Sequence, residues 1–165
     1  MWTFESLQYS DSLLKGELLK HVALITGSSG GMIGAAYLRE LYLQQQLGKL
    51  NNLYSTSYLS DVSKDVLNSV GFSIGTSDWF ISFQSVKYGT HKYNKDRGYV
   101  FERRLDENLR NVFLDKSISY YKQPELEAIV PMMIFSPTMV NDGRKLIVSP
   151  LPVSFLTHSA QPENL

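Results

Sequence analysis

The stretch HVALITGSSGGMIGAAYLREL, residues 21–41, decides the fold of this chain. Its apolar run Val22–Ile25 has the composition of a strand, a turn rich in glycine and serine follows, and a helical pattern begins at once. Because the run does not alternate with polar residues, it predicts a strand that is buried on both faces of a sheet. The helix that follows, over residues 30–47, is then predicted to pack against that sheet.

The turn between strand and helix reads Gly-x-Ser-x-Gly over residues 27–31. This pattern predicts a sharp elbow with Ser29 at its tip and the serine hydroxyl held clear of the backbone. Gly27 and Gly31 suit such an elbow, since a side chain at either position would collide with the neighbouring strand or helix. Free N–H groups at the start of the helix would favour a developing oxyanion. Ser29 is therefore a candidate nucleophile, and an ordinary strand-to-helix turn with a serine N-cap is the structural alternative.

The same turn is also similar to the nucleotide loop of short-chain dehydrogenases, Thr-Gly-x-x-x-Gly-x-Gly. Gly27 and Gly31 fit that pattern, but Ile33 stands where the third glycine should be. A bulky residue there counts against a dinucleotide site, because the backbone must approach the pyrophosphate closely. Tyr88 and Lys92 have the Tyr-x-x-x-Lys spacing of that family, but they follow the glycine turn too soon and lie in a segment predicted to be a loop.

Composition narrows the class of protein. The chain has 165 residues, 43% of them apolar, which is enough for a single domain with a packed core over residues 1–165. Its net charge is zero, which gives no support to a nucleic-acid-binding surface. Cysteine is absent, so disulfides, thiol catalysis and thiolate metal sites are excluded. The first residues do not resemble a signal peptide and no window approaches the length of a membrane span, so we expect the cytoplasm.

Apolar spacing predicts helices on both sides of the elbow. A first helix over Trp2–Leu14, stopped by Gly16, has an apolar side formed by Phe4, Leu7, Leu13 and Leu14. Leu18–Ile25 is then predicted to enter the strand. In the helix after the elbow, we predict that the outer turns reach solvent before Gly48 ends the helix; the exposed residues would be Arg39, Glu40 and Gln44–Gln46.

The middle of the chain carries no specific motif. A second amphipathic helix ended by Gly71 is predicted from the spacing of Leu59, Val62, Val66 and Val70. The aromatic cluster Trp79–Phe83 predicts core packing, or alternatively the lining of an acyl-chain pocket. Lys87–Gly98 is predicted to be a polar loop. A further helix is predicted from Phe101, Leu105, Leu109 and Val112, with an outer face formed by Glu102, Arg103, Arg104, Asp106, Glu107 and Arg110.

A second uninterrupted apolar run, Ile129–Phe135, predicts another buried strand, with Pro131 marking its entry. The sequence NDG at 141–143 is a strong turn signal, after which Lys145–Val148 is predicted to return as a partner strand. Strands separated by helices predict a layered α/β domain with helices on both faces of the sheet. The two apolar runs should then be neighbouring or near-neighbouring strands of that sheet.

An α/β-hydrolase triad could take Ser29, Asp142 and His158, which occur in the order Ser…Asp…His. However, that fold places several strands and its oxyanion loop before the elbow, and Asp142 is well explained by the turn it occupies. His21 and His91 have no neighbouring carboxylate or metal-ligand spacing in the sequence. No metal and no other cofactor is therefore expected.

Residues 25–35, ITGSSGGMIGA, resemble the nucleophile elbow of patatin-like phospholipases. In that family a serine–aspartate dyad without histidine hydrolyses acyl esters of lipids, and the elbow follows the first helix closely, as it does here. Ile134–Val148 is similar to the segment that precedes the family's catalytic aspartate. The resemblance implies a layered α/β/α patatin-like domain in which Ser29 attacks the ester carbonyl. A carboxylate would act as the base, and backbone N–H groups, that of Gly30 among them, would stabilise the oxyanion.

Two features of that family have no counterpart in the sequence. Its glycine-rich oxyanion loop lies just before the first helix, whereas here the predicted first helix already begins at Trp2, the second residue of the sequence. Its aspartate lies in an Asp-Gly-Gly or Asp-Gly-Ala motif, whereas Asp142-Gly143 is followed by Arg144. We therefore expect a fragment, incomplete at both ends, that carries the nucleophile and has little activity alone. Its partners would be a lipid or other acyl ester and, transiently, a membrane surface.

Overall fold

The described residues form helices and a few short strands. The structure is a computed structural model that describes residues 1–66, 85–88, 91–94, 97–113, 116–139 and 141–156. Its elements are α1 (Trp2–Leu13), α2 (Glu17–His21), β1 (Leu24–Gly27), α3 (Ser29–Gln46), α4 (Thr56–Val62), β2 (Ser85–Tyr88), β3 (His91–Asn94), α5 (Arg97–Asn108), a 3₁₀ helix at Ile118–Tyr121, α6 (Lys122–Leu126), β4 (Met132–Phe135) and a 3₁₀ helix at Ser154–Leu156. The chain divides into two compact units, which are Met1–Ser55 with Asp115–Leu165, and Thr56–Leu114. The single domain over 1–165 stays a prediction.

The first unit is organised around the parallel pair of β1 and β4. Leu24 lies opposite Met132 at one end of the pair, and Gly27 lies opposite Phe135 at the other. The prediction that the two apolar runs are neighbouring strands is confirmed. A buried cluster joins α3 to this pair; its members are Met32, Ala35 and Met133, with Leu7, Ile25, Ala36 and Phe135 packed around it. The fold is thus mixed α/β, with α3 lying against a small parallel sheet.

Strand β1 is not buried on both faces. Exposure alternates along it, and Leu24 leaves 48% of its surface open to solvent. The prediction of a doubly buried strand is therefore wrong here. The apolar run Val22–Ile25 straddles the start of the strand, so its lack of alternation did not describe the strand itself.

The segment before β1 is helical where we predicted an extended entry. Residues 18–21 belong to α2, which follows Gly16 in the left-handed region at φ 87°. The carboxylate of Asp11 accepts the N–H of Leu19 at 2.9 Å, so a side chain from α1 satisfies a donor in the first turn of α2. Because this capping residue lies in the preceding helix, the local sequence of α2 does not predict that a helix begins there.

The apolar side predicted for α1 is correct only near its start. Phe4 is fully buried, but Leu13 and Leu14 leave 63% and 53% of their surface exposed. Gln8 and Asp11 are buried instead. Both polar residues can face inward because each has a partner there; Nε2 of Gln8 donates to a backbone carbonyl at 2.8 Å, and Asp11 caps α2.

Arg39 and Glu40 of α3 are buried, leaving only 3% and 1% of their surface exposed. The prediction that they reach solvent is wrong. The guanidinium of Arg39 donates to the carboxylate of Glu125. Glu40 accepts bonds from Nζ of Lys116 at 2.5 Å and from the hydroxyl of Tyr121 at 2.7 Å. These partners are distant in sequence, so the spacing along α3 gives no sign of them.

Several of the described helices end on a residue in the left-handed region. For α3 this residue is Gly48 at φ 70°, and the N–H groups of residues 48 and 49 bond back to the carbonyls of residues 45 and 44. The prediction that Gly48 ends α3 is confirmed. At the ends of α1, α5 and α6 the left-handed residues are Lys15, Arg110 and Ala128, with φ of 56°, 61° and 52°. Because α5 stops at Asn108 without a glycine, the predicted helical continuation to Val112 is wrong.

Two further predictions are wrong in the second unit. α4 ends at Val62, so Val66 lies outside it; the hydroxyl of Ser63 bonds to a carbonyl in the last turn at 2.6 Å and competes with continuation of the helix. β2 and β3 pair antiparallel from Ser85–Asn94 to Tyr88–His91, so the described residues of the polar loop predicted over Lys87–Gly98 belong instead to strands and to the start of α5.

Asp106 of α5 departs from the outer face predicted for that helix. It is buried, and its carboxylate accepts the N–H of Phe113 at 3.0 Å. Three of the sequence features predicted for this unit lie outside the described residues: Val70, Gly71 and the cluster Trp79–Phe83.

Beyond β4 the chain folds back as a hairpin, residues 135–148. Phe135 and Val148 exchange two backbone hydrogen bonds of 2.9 Å each, which fixes the antiparallel register. Pro137 interrupts the ladder since it has no N–H, although its carbonyl accepts the N–H of Leu146 at 2.8 Å. The predicted turn is confirmed, whereas Lys145–Val148 pairs back only through isolated bridges at its two ends and is not a strand as predicted.

Candidate active site

The chain turns sharply from strand into helix at residues 27–31. β1 ends at Gly27, Ser28 is extended with φ −145° and ψ 171°, and Ser29 is the first residue of α3. Ser29 has a φ of 61°, in the left-handed region that residues with a side chain rarely adopt. Strain of this kind persists where the surrounding structure imposes it, and it often marks a functional position.

The hydroxyl of Ser29 is accessible. The residue is exposed, and within the described part of the chain its side chain makes no hydrogen bond. It stands at the N-terminus of α3, a helix of 18 residues whose first N–H groups have no partner inside the helix. Such groups stabilise a negative charge that develops beside them, and the N–H of Gly30 is among them.

The three glycines of the elbow have different surroundings. A Cβ on Gly27 would lie 3.2 Å from the sulfur of Met32, and one on Gly31 would lie 3.1 Å from Oγ1 of Thr3. A Cβ on Gly30 would meet nothing within 4 Å. Close packing by α3 itself and by α1 therefore restricts Gly27 and Gly31, whereas the space around Gly30 is open.

Ser29→Gly tests the strain directly. Glycine adopts the left-handed conformation without a steric penalty, so this variant should be more stable than Ser29→Ala by about 1 kcal/mol. Urea denaturation of the two variants measures the difference. Equal stabilities would show that the turn is relaxed at position 29.

Asp142 lies at the tip of the hairpin, and both of its carboxylate oxygens accept hydrogen bonds from Arg144. Its Oδ1 accepts the backbone N–H of Arg144 at 3.0 Å, and its Oδ2 accepts Nε of the same residue at 2.7 Å. These bonds hold the pKa of the exposed Asp142 carboxyl below its usual value. A general base for serine needs a free carboxylate oxygen near the hydroxyl, which argues for a turn role for Asp142.

Asp142→Asn is accordingly expected to leave ester hydrolysis within a few-fold of wild type. Asparagine suits the same turn, and its side-chain oxygen can still accept the N–H of residue 144. Steady-state kinetics of the full-length protein measure the effect. A loss of about a hundredfold or more would instead identify Asp142 as the base.

The remaining candidate residues from the sequence do not form a site with Ser29 among the described residues. Tyr88 and Lys92 sit on the paired strands β2 and β3, not one turn apart on a helix as in a dehydrogenase. His158 lies outside the described residues. The expectation that His21 has no neighbouring carboxylate is wrong, since its Nδ1 lies 3.4 Å from Oε2 of Glu17 across one turn of α2. Among the described residues, no group of three or more potential ligands could hold a metal ion.

One neighbour of the elbow was missed from the sequence. The N–H of Ser136 donates to the carbonyl of Gly27 at 2.9 Å, so the start of the hairpin lies beside the residue that precedes Ser28. The available signal was that both apolar runs end in a serine-containing turn. In parallel strands these ends meet at the same edge of the sheet.

No family model, no curated protein and no solved structure matches this chain. The described helices include none that is both long enough and apolar enough to cross a membrane. Function is therefore inferred from the chemistry of the elbow and its surroundings.

Proposed function

We propose that this chain carries the nucleophile of a serine acyl-ester hydrolase, a lipid acyl hydrolase of the patatin-like type. The observation that carries the proposal is Ser29 at φ 61°, exposed between a parallel strand and the N-terminus of α3. In this proposal the pair β1–β4 belongs to a layered α/β/α domain, and α3 is its central helix.

In the proposed mechanism Ser29 Oγ attacks the carbonyl carbon of an acyl ester. The serine proton passes to a carboxylate base, the tetrahedral oxyanion is held by backbone N–H groups that include Gly30, and the alcohol leaves. Water then hydrolyses the acyl-enzyme and regenerates the serine. The left-handed backbone supports this role because it lifts the side chain away from α3 and toward solvent.

The base is not assigned to any described residue. Asp142 is bound to Arg144 through both oxygens. The buried carboxylates Asp11 and Glu40 are likewise held by hydrogen-bonded partners within the first unit. A dyad in the full-length protein would need a different carboxylate, one that is free to accept the proton of Ser29.

A fluorophosphonate probe applied to the full-length protein tests the proposal, because it phosphonylates an activated serine and releases fluoride. Labelling of Ser29, located by peptide mass spectrometry and absent in Ser29→Ala, supports the hydrolase. Ser28→Ala is the matched control and should still label. Absence of labelling together with saturable binding of a dinucleotide would favour the dehydrogenase alternative. Absence of both, with binding of lipid, would favour a non-catalytic lipid-binding domain.

A further inference from the structure

The hairpin 135–148 begins beside the elbow. β1 and β4 are parallel, so the chain leaves both strands at the same edge of the sheet. The hydrogen bond from Ser136 N–H to the carbonyl of Gly27 ties the first residues of the hairpin to the end of β1. The hairpin therefore extends from the edge of the sheet at which Ser29 lies.

One face of the hairpin continues the surface that packs on α3. Side chains two residues apart share a face of a strand, so Pro137 and Met139 lie on the same side as Phe135. Phe135 packs around the buried cluster beneath α3, which identifies this side as the one that α3 covers. Leu146 pairs with Pro137 across the ladder and belongs to the same face. Beyond Phe135 this face runs on past the start of α3.

The outer part of this face is apolar and open. Met139 and Leu146 leave 38% and 47% of their surface exposed. Arg144 lies opposite Met139, whose N–H donates to the Arg144 carbonyl. The guanidinium of Arg144 forms an ion pair with the carboxylate of Asp142 at 2.6 Å. The charge of Arg144, which lies opposite Met139, is thus already paired, which favours contact with hydrocarbon over contact with an anion.

We propose that this face, formed by Pro137, Met139 and Leu146, receives the acyl chain of the ester that Ser29 attacks. The inference rests on the proposed function, since a substrate held at Ser29 must extend its chain along a surface that adjoins the elbow. Each methylene removed from water strengthens binding about fourfold. Esters of longer acids should therefore be preferred over short ones, and Leu146 and Met139 determine that preference.

Leu146→Ser tests the inference, with Leu47→Ser as the matched control. The two leucines are nearly equally exposed, at 47% and 48%. Leu47 caps the far end of α3, about 27 Å from Ser29 at the usual rise per residue. The readouts, all on the full-length protein, are kcat/KM for p-nitrophenyl butyrate and dodecanoate, and binding of a fluorescent twelve-carbon fatty acid.

Leu146→Ser should lower kcat/KM for the dodecanoate about tenfold, leave the butyrate within about twofold and weaken fatty-acid binding about tenfold. Met139→Ser should act in the same direction and serves in place of Leu146→Ser if that variant does not fold. Leu47→Ser should change none of these quantities. Equal losses on both esters, no loss on either, or the same loss in Leu47→Ser would overturn the inference while leaving the hydrolase intact. Selective loss of fatty-acid binding in a protein that hydrolyses no ester would support the surface and overturn the proposed function.

Discussion

Ser29→Ala should lower ester hydrolysis by at least about a thousandfold, because no other group can form the acyl-enzyme when the nucleophile is removed. Its effect on stability should be small, within about 0.5 kcal/mol, since the side chain is exposed and makes no hydrogen bond in the described part of the chain. Alanine also keeps the left-handed strain of the position. Initial rates with a p-nitrophenyl ester and thermal unfolding of the full-length protein measure the two effects.

Ser28→Ala is the control for this variant. Ser28 is the N-cap residue of α3, but its side chain makes no capping hydrogen bond, so neither activity nor stability should change greatly. Equal losses of activity at both serines, accompanied by a large fall in melting temperature, would mean that the turn has only a structural role. The hydrolase proposal would then lose the observation on which it depends.

The features that could be predicted from the sequence are those with local causes. The elbow is announced by glycines at 27 and 31, the end of α3 by Gly48, and the hairpin by the turn at 141–143. In each of these cases the residues that impose the conformation lie within the segment itself, so the pattern and the structure agree. The pairing of the two apolar runs is the exception, since it joins distant segments; it is predicted from the strand composition of both runs, which places them in one sheet.

The features that could not be predicted have causes elsewhere in the chain. The first turn of α2 is capped by Asp11 of the preceding helix, which accepts the N–H of Leu19. The end of α5 is a local exception, because Arg110 adopts there a left-handed conformation that its side chain does not predict. Polar residues on the inner faces of α1 and α3 are stabilised by partners that their own helices do not contain. A helical pattern assigns charged residues to solvent by default, and only the tertiary structure reverses that assignment.

The largest such reversal is the buried charged network of α3. Besides Glu125, the guanidinium of Arg39 donates to the carbonyl of Pro131 at 3.0 Å and lies 4.5 Å from the ring centre of Tyr121. Glu125 also accepts the N–H of Met133, in β4, at 3.2 Å. The network therefore ties α3 to α6 and to the strand that pairs with β1. Because β1 leads directly into the elbow, the position of the elbow depends on this attachment.

Breaking the Arg39–Glu125 pair should be the most destabilising single change in the first unit. Either Arg39→Met or Glu125→Leu leaves an uncompensated buried charge and should cost about 3–5 kcal/mol, measured by urea denaturation. The double variant should recover most of this loss, since two apolar side chains of similar volume need no partners.

Burial raises the pKa of the Glu125 carboxyl, whereas Arg39 and the N–H of Met133 lower it. In Arg39→Met the pKa should therefore rise further. A carboxyl with a raised pKa in the folded state favours folding at acidic pH and loses that contribution as the pH rises through the folded-state value. The loss in Arg39→Met should accordingly be smallest at acidic pH and grow toward neutrality. A double variant as unstable as the singles, or a loss independent of pH, would show that packing rather than charge determines the stability of this contact.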